Sequence, residues 1–150
     1  MIEYAREMLG DVRGDMEPLL EAHWREIAHY QDILLNPDWE FYSLIEQDDR
    51  LRIFTARDGG RLIGYAAFFV GPNRHYKYSI QAVQDVIFLH PEYRGARVGA
   101  KLILYADEQC RAENIQVIYH HIKAAHDFGP LLVHCGYELV DLIYAKRLDK

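Results

Sequence analysis

Phe88-Leu89-His90-Pro91-Glu92-Tyr93-Arg94-Gly95-Ala96-Arg97-Val98-Gly99-Ala100-Lys101-Leu102 is the stretch on which the fold turns. It closes an alternating apolar run from Ser79 to Leu89 that predicts a strand, and Pro91 stops that strand because it cannot donate to a ladder. Gly95 supplies a turn. From Val98 to Ala112 the apolar residues Leu102, Ile103, Tyr105, Ala106 and Cys110 fit the buried face of a helix. The first amides of such a helix have no intrahelical partner and point along the positive end of its dipole, so the loop is a candidate anion site. Arg94 and Arg97 add full charges there. A Walker-type loop would need Gly-Lys-Ser/Thr and a dinucleotide fold would need Gly-x-Gly-x-x-Gly, and neither occurs. On the residues alone, the loop is either a phosphate site or a plain connection with surface arginines.

Working outward, Met16, Leu19, Leu20, Trp24, Ile27 and Ala28 predict a helix from about Gly14 to Tyr30, with Asp15 as its cap and Pro18 in its first turn. Asn36-Pro37-Asp38 breaks the chain, and Asp38 can cap a second helix to about Gln47. Leu51–Ala56 and Leu62–Val70 read as a hairpin turning at Asp58-Gly59-Gly60. After the helix at 98–112 come a strand at Ile115–Ile122, a short helix at Leu131–His134, a stop at Gly136 and a last strand from Tyr137 to Arg147. The order α-α-β-β-β-α-β-α-β describes one mixed α/β, or α+β, domain over residues 1–150.

The chain has 150 residues, half of them hydrophobic, which suits a folded domain with its own core. No run reaches the ~20 apolar residues of a membrane span. Acidic and basic residues scattered through the first 20 positions exclude a signal peptide, so a cytoplasmic location is expected. Cys110 and Cys135 suit reduced thiols. The net charge of −6 is uneven: residues 1–50 carry 13 acids against 4 bases, leaving the rest mildly basic. That asymmetry fits a cation handled on one side and an anion on the other, or simply solvated helix faces. Nucleic-acid binding is disfavoured, because no basic stripe with interleaved aromatics occurs. Four histidines lie between His120 and His134, but neighbours on a strand point apart and no ligand set is completed, so no metal is expected.

The run from Phe88 to Leu102 resembles motif A of the GNAT superfamily of N-acetyltransferases, apolar-x-Pro-x-x-Arg-Gly continued as Gln/Arg-x-x-Gly-x-Gly/Ala. Cys135-Gly136-Tyr137 resembles the close of motif B. The resemblance implies a GNAT-like, mostly antiparallel twisted sheet with two N-terminal helices and helices on both faces, with acetyl-CoA as co-substrate. It implies that Ile87, Phe88 and Leu89 offer backbone groups to the pantetheine arm, and that Arg94, Gly95, Ala96, Arg97, Val98, Gly99 and Ala100 surround the pyrophosphate. One departure stands out: the middle Gly of the motif is Arg97, whose backbone is expected to avoid a conformation open only to Gly. Another is Leu132, which occupies the position most comparable to the family's acidic Tyr.

Acetyl transfer to an amine with a lysine-like pKa of about 10.4 needs a proton acceptor. Asp85 stands alone in an apolar strand, where period two places it with Val83, Ile87 and Leu89; it is either the base or a structural carboxylate. His120 and His121 lie near the end of the next strand, one facing each side, as alternative bases or satisfied structural residues. Tyr137 and Tyr144 are candidate acids, or packing residues. Trp24, Tyr30, Trp39, Phe41 and Tyr42 are candidates to line an acceptor pocket, or core. The function expected is acetyl transfer to a primary amine of a small molecule or protein. A degenerate module that binds CoA or a partner protein without catalysis is the alternative, and a phosphate-binding regulatory domain the weaker third. The acceptor is not identified by the sequence, and a homodimer is among the open oligomeric states.

Overall fold

The computed structural model describes residues 1–150. Five strands, β1 (Ile2–Arg6), β2 (Leu51–Asp58), β3 (Arg61–Pro72), β4 (Ile80–Leu89) and β5 (Val117–Tyr119), lie in sequence order in one sheet. All neighbours are antiparallel except β4 and β5, which run parallel. Helices α1 (Leu9–Ile27) and α2 (Trp39–Gln47) cover one face and α3 (Val98–Ala112) the other, with a short α4 (Gly129–His134) near the end.

Several boundaries differ from expectation for identifiable reasons. β1 is a short edge strand of mixed polarity that pairs Ile2–Arg6 with Phe54–Asp58, and its charged residues hid it. Helix α1 starts at Leu9, so Asp15 is not its cap and Pro18 lies in its interior. The cap is tertiary: the Leu9 amide donates to Glu46 Oε2 of α2 at 2.8 Å. Leu9, Val12, Met16 and His23, buried at helical spacing, hold α1 to the sheet despite Gly10, Gly14 and Pro18. Asp38 caps α2 as expected, its side chain accepting from the Phe41 amide at 3.0 Å. The β2–β3 hairpin turns on Gly59 and Gly60, both at positive φ.

The strand expected from Tyr137 to Arg147 does not form. No backbone–backbone hydrogen bond involves any residue after Tyr137. Its alternating pattern is what a strand needs, but a strand exists only when an edge pairs with it. The end of the segment is held instead by Arg147, which donates to Asp32 in the α1–α2 connection at 2.9 and 3.2 Å.

Two core layers flank the sheet. Leu51, Ile53, Tyr65, Ala67 and Phe88 meet α1 and α2, whereas Phe54, Ala66, Phe68 and Ala82 meet Leu102, Ala106 and Cys110 of α3. Between β3 and β4 the register slips: Phe68 pairs with Gln84 but Ala67 with Val86. Asp85 is the extra residue of this β-bulge. β5 pairs only with Gln81–Val83, so from the bulge to Leu89 the second edge of β4 is free and the two parallel strands part.

Candidate active site

The free edge of β4 leads into a single turn of 3₁₀ helix (Pro91–Tyr93), the loop 94–97 and the start of α3. None of the six consecutive amides from Gly95 to Ala100 donates to any protein acceptor; the bonding of α3 begins with Lys101, which donates to Arg97 at 3.0 Å. Gly95 sits at φ 88° and Arg97 at φ 65°, ψ 0°. Arg97 therefore adopts the left-handed conformation that favours glycine but is not open only to it, so the loop keeps the path of the glycine motif with a strained arginine. Its side chain makes no hydrogen bond or ion pair and is exposed. Six unpartnered amides on a helix N-terminus, next to a free cation, fit a diphosphate. A Cβ built on Gly99 meets only Leu131 Cδ2 at 3.4 Å and Leu89 Cδ2 at 3.6 Å, so the protein itself leaves room there.

Arg94 does not join this cradle. Its amide donates to Pro91, its Nε to the Leu89 carbonyl at 2.9 Å, and its guanidinium pairs with Glu26 of α1 at 2.9 Å above the Phe88 ring. Its role is to tie the loop to α1. The three residues expected to meet a pantetheine arm also divide. The His90 amide bonds Ile63 and the Phe88 carbonyl faces Gly64 across the β3 ladder. By alternation only Ile87 and Leu89 turn backbone groups to the free edge.

The bulge changes which residues share a face with Asp85. Val83, paired with Phe69, stays with it on the α1/α2 face as alternation predicted, but Val86 and Phe88 join that face and Ile87 passes to the α3 face, so Ile87 and Leu89 do not accompany Asp85 as expected. Its Oδ2 accepts from the Tyr42 hydroxyl of α2 at 2.6 Å. Burial raises the Asp85 pKa from its ordinary value, an effect opposed by the Tyr42 bond and by nearby His121. The same bond and burial push the Tyr42 hydroxyl well up. Asp85 closes one end of a cavity of about 280 Å³ beneath α1, α2 and their connection. Of the five aromatics considered for an acceptor pocket, Trp24, Trp39 and Tyr42 line this cavity, whereas Phe41 and Tyr30 do not.

Of the other candidates, only His121 is near enough to Asp85 to act on its charge. His120 is packed edge-on against Phe68 and Tyr137, its Nδ1 2.8 Å from Gln84 Oε1 and its buried Nε2 without a partner. Burial, with His121 beside it, lowers its pKa to about 4, so it is neutral at pH 7 and far from the Asp85 face. Tyr137 donates its hydroxyl to Asp107 of α3. Tyr144 is 88% exposed on the unpaired C-terminal segment, and Leu132 is buried. No tyrosine other than Tyr42 is bonded to Asp85. Sequence reasoning did not link Tyr42 to Asp85, or Glu26 to Arg94; these pairs are 43 and 68 residues apart and no local pattern joins them. No group of three or more His, Cys, Asp or Glu side chains is placed to hold a metal, and no helix is long and apolar enough to cross a membrane.

A strand edge left open at a bulge, running into a helix whose first amides are free, is the arrangement that the motif resemblance implies. The chain belongs to the acetyltransferase (GNAT) family, whose pattern it matches over residues 16–128. That family uses acetyl-CoA. No curated protein matches the chain. Among solved structures it is similar to a ribosomal-protein-alanine N-acetyltransferase from Brucella melitensis biovar Abortus 2308, at 19% identity over 99% of both chains with a TM-score of 0.72. It is similar to a predicted acetyltransferase from Clostridium acetobutylicum solved with acetyl-CoA, at 15% identity over 99% of this chain and 97% of that one, TM-score 0.73. It also resembles an aminoglycoside acetyltransferase from an uncultured soil metagenomic sample, in complex with sisomicin, at 13% identity over 97% of both chains, TM-score 0.72. At these identities the likeness is one of fold.

Proposed function

We propose that this protein transfers an acetyl group from acetyl-CoA to a primary amine by direct attack, with Asp85 as the proton acceptor. The observation that carries the reading is the run of six free amides from Gly95 to Ala100, set at the end of a strand edge that is open from the bulge onward. On this reading the amides, with Arg97, hold the diphosphate, and Ile87 and Leu89 align the arm along β4, bringing the thioester to the bulge. Acetyl-CoA supplies an activated carbonyl and a leaving thiolate. Asp85, directly or through one water, takes the proton that frees the amine lone pair; the C–N bond forms, the C–S bond breaks and the second amine proton passes to the medium. Tyr42 holds the carboxylate in place and favours its charged form. A thiol with an ordinary pKa of about 8.5 leaves without a dedicated acid, consistent with Leu132 at the usual tyrosine position.

Single-turnover release of free CoA thiol with acetyl-CoA and a mixed amine panel tests this. Thiol release that depends on amine is expected. In Asp85→Asn the rate should fall by roughly 10²–10⁴-fold, the usual span for a lost general base, with acetyl-CoA affinity retained. Tight binding of acetyl-CoA with no release by the wild type would instead make the chain a binding module.

A further inference from the structure

The cavity above Asp85 also says which amines fit, on the reading that the chain is an N-acetyltransferase. We propose that the acceptor is a small monoamine with a compact apolar or aromatic body, its nitrogen at Asp85 and its body between Trp24, Trp39 and Tyr42. Thirteen of the 16 lining residues are hydrophobic, and Asp85 is the only charged side chain among them. Its volume of about 280 Å³ lies below the ~300–1,000 Å³ typical of pockets for drug-sized ligands, so it suits a compact molecule.

Polycations have nothing to meet. An aminoglycoside or polyamine brings further ammonium groups, and each loses its hydration without a carboxylate in return. The cavity shares Trp24, Trp39, Leu34 and Leu35 with a wider outer recess of about 540 Å³, which also includes Glu17 and Glu21. Those two acids are already paired, with Arg13 at 2.9 Å and Arg25 at 2.6 Å on the same helix. Asp38 is engaged in capping α2. Glu17 and Glu21 at the entrance are thus each matched by an arginine, and the one carboxylate inside takes one ammonium. A lysyl side chain reaches Asp85 but leaves most of the apolar wall uncovered.

Trp24 and Trp39 are the only tryptophans in the chain and both line the cavity, so intrinsic fluorescence reads its occupancy directly. Phenethylamine and tryptamine should perturb it at concentrations at least 100-fold lower than spermidine, kanamycin or a lysine peptide, since covering an aromatic ring is worth roughly two orders of magnitude in affinity. The same order is expected in kcat/KM for thiol release. Leu34, 78% exposed at the rim, can be changed to Glu without a core penalty; Leu34→Glu should narrow the preference by favouring spermidine. Faster acetylation of a polycation or peptide overturns this proposal and leaves N-acetyl transfer standing. Absence of turnover with every amine overturns the transferase reading and the acceptor role with it, whereas turnover without selective binding of the aryl monoamines overturns this proposal alone.

Discussion

Arg97→Gly is the substitution through which the anion loop can be interrogated most directly, because it separates backbone from charge. In the wild type Arg97 holds φ 65°, ψ 0° immediately before α3. A left-handed conformation costs an L-residue about 1–2 kcal/mol relative to glycine. Glycine in turn brings back about 0.5–1 kcal/mol of unfolded-state entropy, so the net gain is expected near 0.5–1 kcal/mol. No folded-state contact opposes it, since the Arg97 side chain has neither a hydrogen bond nor an ion pair. For a chain of this length each kcal/mol moves the melting temperature by about 2–4 °C, so Tm should rise by roughly 1–4 °C. If the guanidinium meets the diphosphate, acetyl-CoA affinity falls by about 1.5–3 kcal/mol, an order of magnitude or two. Arg97→Ala is the control: it removes the charge and keeps the strained Cβ, so it should lose the same affinity without gaining stability. Thermal denaturation and calorimetric titration of the three proteins read both effects. A Tm for Arg97→Gly equal to or below that of Arg97→Ala would refute the strain argument.

Gly99→Asp should leave the fold intact, since its Cβ finds ordinary contact distances, yet abolish acetyl-CoA binding by setting a carboxylate beside the free amides; calorimetry and circular dichroism check the two halves. Tyr42→Phe removes a hydrogen bond that lowers the Asp85 pKa, so the acid limb of the pH–rate profile should move to higher pH while the variant stays active. His23 and His120 are both held by burial at a pKa of about 4, below their ordinary 6.5. The unfolded chain therefore binds more protons between these values, and stability should fall as pH drops from 6.5 toward 4, by up to about 3 kcal/mol for each histidine. Urea titrations across that window should show a shallower loss in His120→Gln.

How far the sequence could be read depended on whether each element is determined locally. Helix α3, Val98–Ala112, matched its expected bounds because proline, glycine and an apolar stripe all act within a few residues. The Asp38 cap and the Gly59-Gly60 turn are local for the same reason. The start of α1 was misjudged because its cap is a glutamate 37 residues away, which no local rule can supply. β1 and the segment after Tyr137 failed in opposite directions. A polar pentapeptide became a strand because β2 offered it an edge, and an alternating apolar segment stayed unpaired because no edge received it.

The site divides along the same line. The half proposed to bind the diphosphate is a single continuous stretch whose residue types dictate the turn, the helix start and the free amides, so its geometry is legible locally. The half proposed to move the proton depends on one inserted residue. Asp85 keeps the α1/α2 face of Val83, within reach of Tyr42, and the bulge between the Phe68–Gln84 and Ala67–Val86 pairs brings Val86 to the same face and turns Ile87 to the other. The bulge also frees β4 from β5 beyond Val83, because a bent strand cannot keep a straight parallel neighbour in register. The same irregularity thus sets Val86 beside the carboxylate and opens the strand edge next to it, which is why a change restoring the regular pleat should disable both halves together, whereas Asp85→Asn removes the proton acceptor alone.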